Sequence, residues 1–134
     1  MKKGGILNSN LSRVIAAMGH TDKLVIGDSG LPIPRNSELV DLALKPNVPR
    51  FLETLETILE ELVVEEAIIS KEMETKNKEV YKKVRQILKN TKIKKVSHEE
   101  FKKISRNGGN VSFVRTGEAT PFANIILVSG VNFG

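Results

Sequence analysis

The 134-residue sequence contains no cysteine and no tryptophan, and its one tyrosine is Tyr81. Each absence removes a class of function. Without thiols there are no disulfides, no thiolate metal sites and no cysteine nucleophile, which agrees with a reducing compartment. With so few aromatics there is no platform on which nucleic-acid bases stack, although the net charge is +5. The basic residues alternate with acids, as in KEMETKNKEVYKKVRQ at 71–86, and such mixing reads as a solvated face. NTKIKKVSHEEFKK, 90–103, comes nearest to a basic block. No apolar run approaches the roughly 20 residues that cross a bilayer. MKKGGILNSN also lacks the apolar core and cleavage site of a secretory signal. The expectation is a soluble, cytoplasmic protein with no membrane insertion and no nucleic-acid partner, folded as one domain over 1–134.

What is present is an alternation of periods. Leu11, Val14, Ile15 and Met18 recur at helical spacing up to Gly19, a natural terminator that leaves His20 at the helix end. LVIG, 24–27, is short and β-branched, as a buried strand is, and it delivers Asp28 at its carboxyl tip. Prolines then leave room for one extended piece, 39–44. Phe51, Leu55, Ile58, Leu59 and Leu62 predict a helix, 65–72 a strand, 77–89 a second amphipathic helix and 92–96 a short strand. Ser97 stands three residues before Glu100, the capping-box spacing, so His98 falls in the first turn of another helix. Strands at 110–117 and 124–131 follow. Strands alternating with helices predict a layered α/β domain with a mostly parallel or mixed central sheet flanked by helices.

Such sheets bind ligands beyond the carboxyl ends of their strands, where Asp28, His98 and the TPFAN turn all fall. His20 precedes the first strand and belongs at the opposite end. Imidazole is the side chain that exchanges protons near neutrality, so His20 is a candidate acid or base; taken alone, a histidine at a helix end more often caps the last carbonyls. Asp28 could bind hydroxyls or merely form an Asp-Ser-Gly turn. His20, His98 and Asp28 lack the short spacing of a metal site, and no metal is expected. GDSG at 27–30 and NGG at 107–109 lack the lysine or third glycine of phosphate loops, and no Gly-x-Ser-x-Gly elbow is present. Arg115, Glu118 and Asn124 gather around the turns of RTGEATPFAN, a set suited to lining a pocket for a small polyhydroxyl ligand, or to a hairpin connection with an ordinary surface ion pair.

Taken together, GILN (5–8), GHTD (19–22), DSGLPIP (28–34), LKPNVP (44–49), SHEEFK (97–102) and RTGEATPFANIIL (115–127) resemble the ribose pyranase and fucose mutarotase family of sugar isomerases over nearly the whole chain. The resemblance implies a cofactor-independent enzyme that interconverts pyranose and furanose rings, in pentamers paired into decamers with sites shared between subunits. It implies His20 as the acid, and Asp28, His98, Phe122, Ala123 and Asn124 as sugar-binding positions. Phe122 departs from the family's Tyr-Ala-Asn, keeping a flat apolar face without the phenolic hydroxyl. A fucose-type mutarotase and a non-catalytic sugar-binding subunit are the alternatives.

Overall fold

The computed structural model describes residues 1–107 and 109–134; Gly108, within the Asn-Gly-Gly stretch set aside above, lies outside the described residues. In chain order the elements are α1 (Ser9–Ala17), β1 (Lys23–Gly27), β2 (Glu38–Asp41), α2 (Phe51–Leu59), β3 (Val64–Ser70), α3 (Lys71–Lys76), α4 (Lys78–Ile87), β4 (Lys92–Val96), α5 (His98–Asn107), β5 (Val111–Arg115) and β6 (Ile125–Ser129). No helix among the described residues is long and apolar enough to cross a membrane.

The strands form one mixed sheet in the order β2-β5-β1-β6-β3-β4. β1, β2, β3, β4 and β5 all run one way, and β6 alone runs against them, between β1 and β3. Because β1 lies between them, β5 and β6 do not form a hairpin. Strand alternation sorts the core into two layers. Leu24, Ile26, Ala67, Ile69, Ile125 and Leu127 face the layer closed by α1, α2, α3 and α4, whereas Val25, Ile68, Phe113 and Ile126 meet Phe101 of α5 on the other face.

Two elements depart from the sequence expectation. The extended piece expected at 39–44 is a strand only over Glu38–Asp41. The strand predicted to run to residue 72 ends at Ser70, and Lys71–Lys76 is a helix. Ser70 accepts the Met73 N–H at 3.3 Å as N-cap, and Glu72 and Glu74 in the first turn suit the positive end of the helix dipole. Local capping thus overrides the apolar run that precedes it.

Several of the motifs that carry the resemblance are joints. In GILN, Gly5 adopts φ 75° and Asn8 caps α1 through Leu11 N–H, while the Ile6 N–H donates to Glu61 at 2.7 Å. LKPNVP packs its backbone on Gly117, where an added Cβ would lie under 3 Å from Lys45 and Val48 backbone atoms. Glu118, next to it, is 2% exposed and accepts from Phe51 N–H at 2.9 Å, the Arg50 guanidinium at 3.1 Å and the Thr120 hydroxyl at 2.7 Å. It therefore caps α2 from sixty-odd residues away. Burial alone raises this carboxyl; the donors from Arg50, Thr120 and Phe51 outweigh it and hold the group below the usual carboxylate range.

A group depressed on folding stabilises above its unfolded pKa and loses that contribution as pH falls through the folded value. Glu118→Gln is accordingly expected to lower unfolding free energy at pH 7 by about 2 kcal/mol, the scale of a charge-assisted hydrogen bond. Urea melts from pH 7 down through the acid range should show the gap between variant and wild type closing.

Candidate functional site

The carboxyl edge of the sheet assembles the first cluster. Asp28 leaves the tip of β1 and Asn124 precedes β6, whose reversed direction brings its first residues to the same edge. The two are locked reciprocally: the Asp28 N–H donates to Asn124 Oδ1 at 2.8 Å, and Asn124 Nδ2 donates to Asp28 Oδ2 at 3.2 Å. Gly27 makes the approach possible, since a Cβ there would sit 3.3 Å from Asn124 Oδ1 and 2.9 Å from Leu31 Cδ2. The Gly30 N–H closes the Asp-Ser-Gly turn on Asp28 Oδ1 at 3.0 Å. Burial pushes the Asp28 carboxyl above the ordinary carboxylate range, against the pull of the Gly30 N–H, the Asn124 amide, the Leu31 N–H and the nearby charge of His98.

His98 enters from the start of α5, beyond the tip of β4. Half of the expected capping box forms, with Ser97 Oγ accepting the Glu100 N–H at 3.1 Å. The free N–H of His98 goes to Glu72 of α3 at 3.0 Å. The imidazole stacks on Phe101 at 6.2 Å between centroids and meets Phe122 edge-on at 5.0 Å. Its Nδ1 is buried without a hydrogen-bond partner. Phe122 adopts φ 58°, a strained conformation for a bulky residue. The turn that holds it is pinned by Asn77, between α3 and α4, which donates to Thr120 Oγ1 at 2.9 Å and to the Pro121 carbonyl at 2.8 Å.

Asp28, Asn124, His98 and Phe122 therefore share one edge. Ala123 is fully buried in the larger core layer. Arg115 ties the loop together, donating to the Ser29 carbonyl at 3.2 Å and pairing with Asp41 at 3.1 Å. Glu118, expected among the pocket-lining residues, is buried with its carboxylate taken up by donors from Arg50, Phe51 and Thr120.

His20 lies at the opposite edge, as the chain order required. Between it and Asp28 stands β1, whose five residues extend about 16 Å at roughly 3.3 Å per residue. The GHTD turn is held from several sides: Asp22 accepts the Gly19 N–H at 2.9 Å, Thr21 adopts φ 70° and donates to the Ser129 carbonyl at 2.8 Å, and the Ser129 N–H returns to the Asp22 carbonyl at 2.8 Å. His20 itself borders an open groove of about 450 Å³ that also takes in Glu61, Val63, Val131 and Phe133. Its Nε2 lies 2.9 Å from Glu65 Oε2. Glu65, Glu72, Asn77 and Gly27 were not singled out by the sequence, since each acts through a partner remote in the chain. Among the described residues no cluster of His, Asp and Glu is arranged to hold a metal ion.

Comparison with known proteins gives a consistent picture. The model of a family described as the RbsD / FucU transport protein family matches residues 1–132. A D-ribose pyranase of Clostridium perfringens is 57% identical over 99% of this chain and 100% of its own length. The D-ribose pyranase of Coprothermobacter proteolyticus is also 57% identical, with the same coverage. Among solved structures, Bacillus subtilis RbsD complexed with D-ribose superposes with a TM-score of 0.93 at 44% identity, covering 99% of this chain and 100% of that one. A Streptococcus pneumoniae fucose mutarotase in complex with L-fucose shares the fold, with a TM-score of 0.78 at 22% identity over 95% of each chain.

Because its folded pKa is raised, Asp28 costs stability on ionising as pH climbs from the ordinary aspartate value, about 3.9, through the folded value. Carbon-13 titration of the Asp28 carboxyl should give a midpoint above that of an ordinary aspartate. Asn124→Ala should move it higher still, because it removes a donor that favours the charged form.

Proposed function

The chain belongs to the RbsD / FucU transport protein family, and from that membership and the chemistry of its two edges we infer that it is a D-ribose pyranase, an isomerase interconverting the pyranose and furanose forms of D-ribose. The observation that carries the reading is the Asp28–Asn124 lock beside His98 and Phe122, a small set of polar groups with one flat apolar face, as a sugar ring requires. The full-length identity to D-ribose pyranases and the likeness to a ribose-bound structure support it.

Opening a cyclic hemiacetal needs one proton delivered to the ring oxygen and another withdrawn from the anomeric hydroxyl; the free aldehyde then rotates and recloses through a different hydroxyl. No electrons change hands, so the chemistry calls for no cofactor. We assign the acid to His20. Asp28 and Asn124 hold sugar hydroxyls, with the Phe122 ring against the apolar face and Ala123 offering backbone. His98 orients the anomeric oxygen or takes its proton; a sugar hydroxyl would give its unpartnered Nδ1 a hydrogen bond. One positioned acid-base group contributes about 10²–10⁴-fold, sufficient for a reaction that already proceeds in water.

Since β1 separates His20 from Asp28, the site is completed by a second copy of the chain, whose His20 meets the carboxyl-edge cluster. Exposed apolar residues border both halves, Val63, Val131 and Phe133 near His20 and Leu44 and Val48 beside the Gly117 loop. Paired pentamers forming a decamer, as the family resemblance implies, would supply such contacts, in the cytoplasm where ribose is consumed.

Saturation-transfer NMR should show accelerated exchange between ribose pyranose and furanose signals with the wild type. His20→Ala should slow it by about 10²–10⁴-fold while ribose still protects the fold against heat. Solvent-rate exchange with wild-type protein that ribose nevertheless protects would leave a sugar-binding subunit instead, and faster turnover of L-fucose than of ribose would make it a fucose mutarotase. For the shared site, His20→Ala and Asp28→Ala chains, each inactive, should regain exchange when dissociated and reassembled together. Mixtures that stay inactive after reassembly would exclude it.

A further inference from the structure

We propose that Glu65 is a positioning residue for His20, fixing the imidazole through Nε2 so that Nδ1 is the nitrogen that exchanges protons with the sugar. The inference rests on the reading of His20 as the acid. Three observations carry it.

First, Glu65 occupies a β-bulge. Val64 pairs with Ser129 and Glu66 with Val128, so Glu65 is the extra residue on β3 against one step of β6. Bulges re-aim a side chain at the cost of a ladder position, and they gather beside functional sites. Here the re-aimed carboxylate reaches Nε2 of His20 at 2.9 Å across the end of β6.

Second, Ser129 is the common post for both partners. It pairs with Val64 on one side, and on the other it accepts the Thr21 N–H and donates to the Asp22 carbonyl. The next residue, Gly130, packs against the bulge, where a Cβ would lie 3.2 Å from Val63 Cγ1 and 3.5 Å from Glu65 Cβ. The backbone thus sets the spacing of two side chains that are 52% and 46% exposed and that packing alone would leave loose.

Third, the other carboxylates of this region are already engaged. Asp22 accepts from Gly19 N–H and from the Asn110 amide, and Glu61 from the Ile6 N–H. Of these three acids, Glu65 is the one bonded to the imidazole.

A carboxylate on one ring nitrogen determines which nitrogen works and which way it points. In the step itself, His20 gives the proton on Nδ1 to the ring oxygen as the bond from that oxygen to the anomeric carbon breaks. The anomeric hydroxyl loses its proton to a base of the neighbouring chain as the carbonyl forms. Reclosure runs both transfers backwards and returns the proton to Nδ1. Glu65 touches no sugar atom.

A double-mutant cycle read by NMR exchange tests the assignment. Glu65→Ala should lower the saturating exchange rate about tenfold or more, the scale on which outer partners of a functional histidine act. The ribose concentration at half-saturation should not move. Glu65→Gln, which retains an acceptor oxygen, should recover much of the loss. In the His20→Ala background, Glu65→Ala should add no further loss, since it acts only through the missing ring. Should Glu65→Ala fail to fold, Glu65→Met against Glu65→Gln serves the same comparison. Wild-type rate in Glu65→Ala beside a slow His20→Ala would overturn the inference alone, as would an added loss in the double variant. Wild-type rate in His20→Ala would overturn the acid assignment and this inference with it.

Discussion

The reversed direction of β6 is the constraint on which both ends of this molecule depend. Five strands run parallel, so their carboxyl tips and the loops that follow gather at one edge. A sixth parallel strand would have started at the other edge and taken Asn124 away from Asp28. Running against its neighbours, β6 puts its entry residue into the cluster with Asp28 and its last residue, Ser129, under the His20 turn and the Glu65 bulge. One buried strand, Ile125–Ser129, thereby sets the geometry of two separated groups of polar side chains.

Two acids, Glu118 buried and Asp28 half-buried, show how the same physics serves opposite ends. Glu118 is surrounded by donors that more than offset its burial, and it fastens α2 to the β5–β6 connection. Asp28 draws its hydrogen bonds from Gly30, Asn124 and Leu31, none of them a charged donor like the Arg50 guanidinium, and burial wins, leaving a carboxylate costly to charge in the free chain and ready to gain from further donors. A sugar hydroxyl is such a donor. The strained backbone at Phe122 and Thr21, each next to one half of the proposed site, fits this division between groups that hold the fold and groups held ready by it.

Most of the layering could be read from the chain because each strand or helix declares its period locally: LVIG by its β-branched run, Phe51 to Leu62 by its stripe. The opposition of His20 and Asp28 follows from chain order alone. Lys71–Lys76 gives little local sign, because the cap at Ser70 is a single residue at the end of a convincing strand. The capping role of Glu118 has no local sign, because its neighbours in sequence are turn residues, whereas its partners Arg50 and Phe51 lie in another segment. Glu65 gives no local sign either, since a bulge exists only in relation to the strand it pairs with.

The outermost strand on the β3 side, β4, leaves one flank of its ladder open, and open ladders invite other strands to join. KIKKV meets that hazard with Lys92, Lys94 and Lys95, all exposed, on a strand of five residues. A second such edge approaching it would bring like charges together along its length. Seen this way, the most basic stretch of the chain is a guard against aggregation, and the surplus of positive charge has a use that involves no polyanion at all.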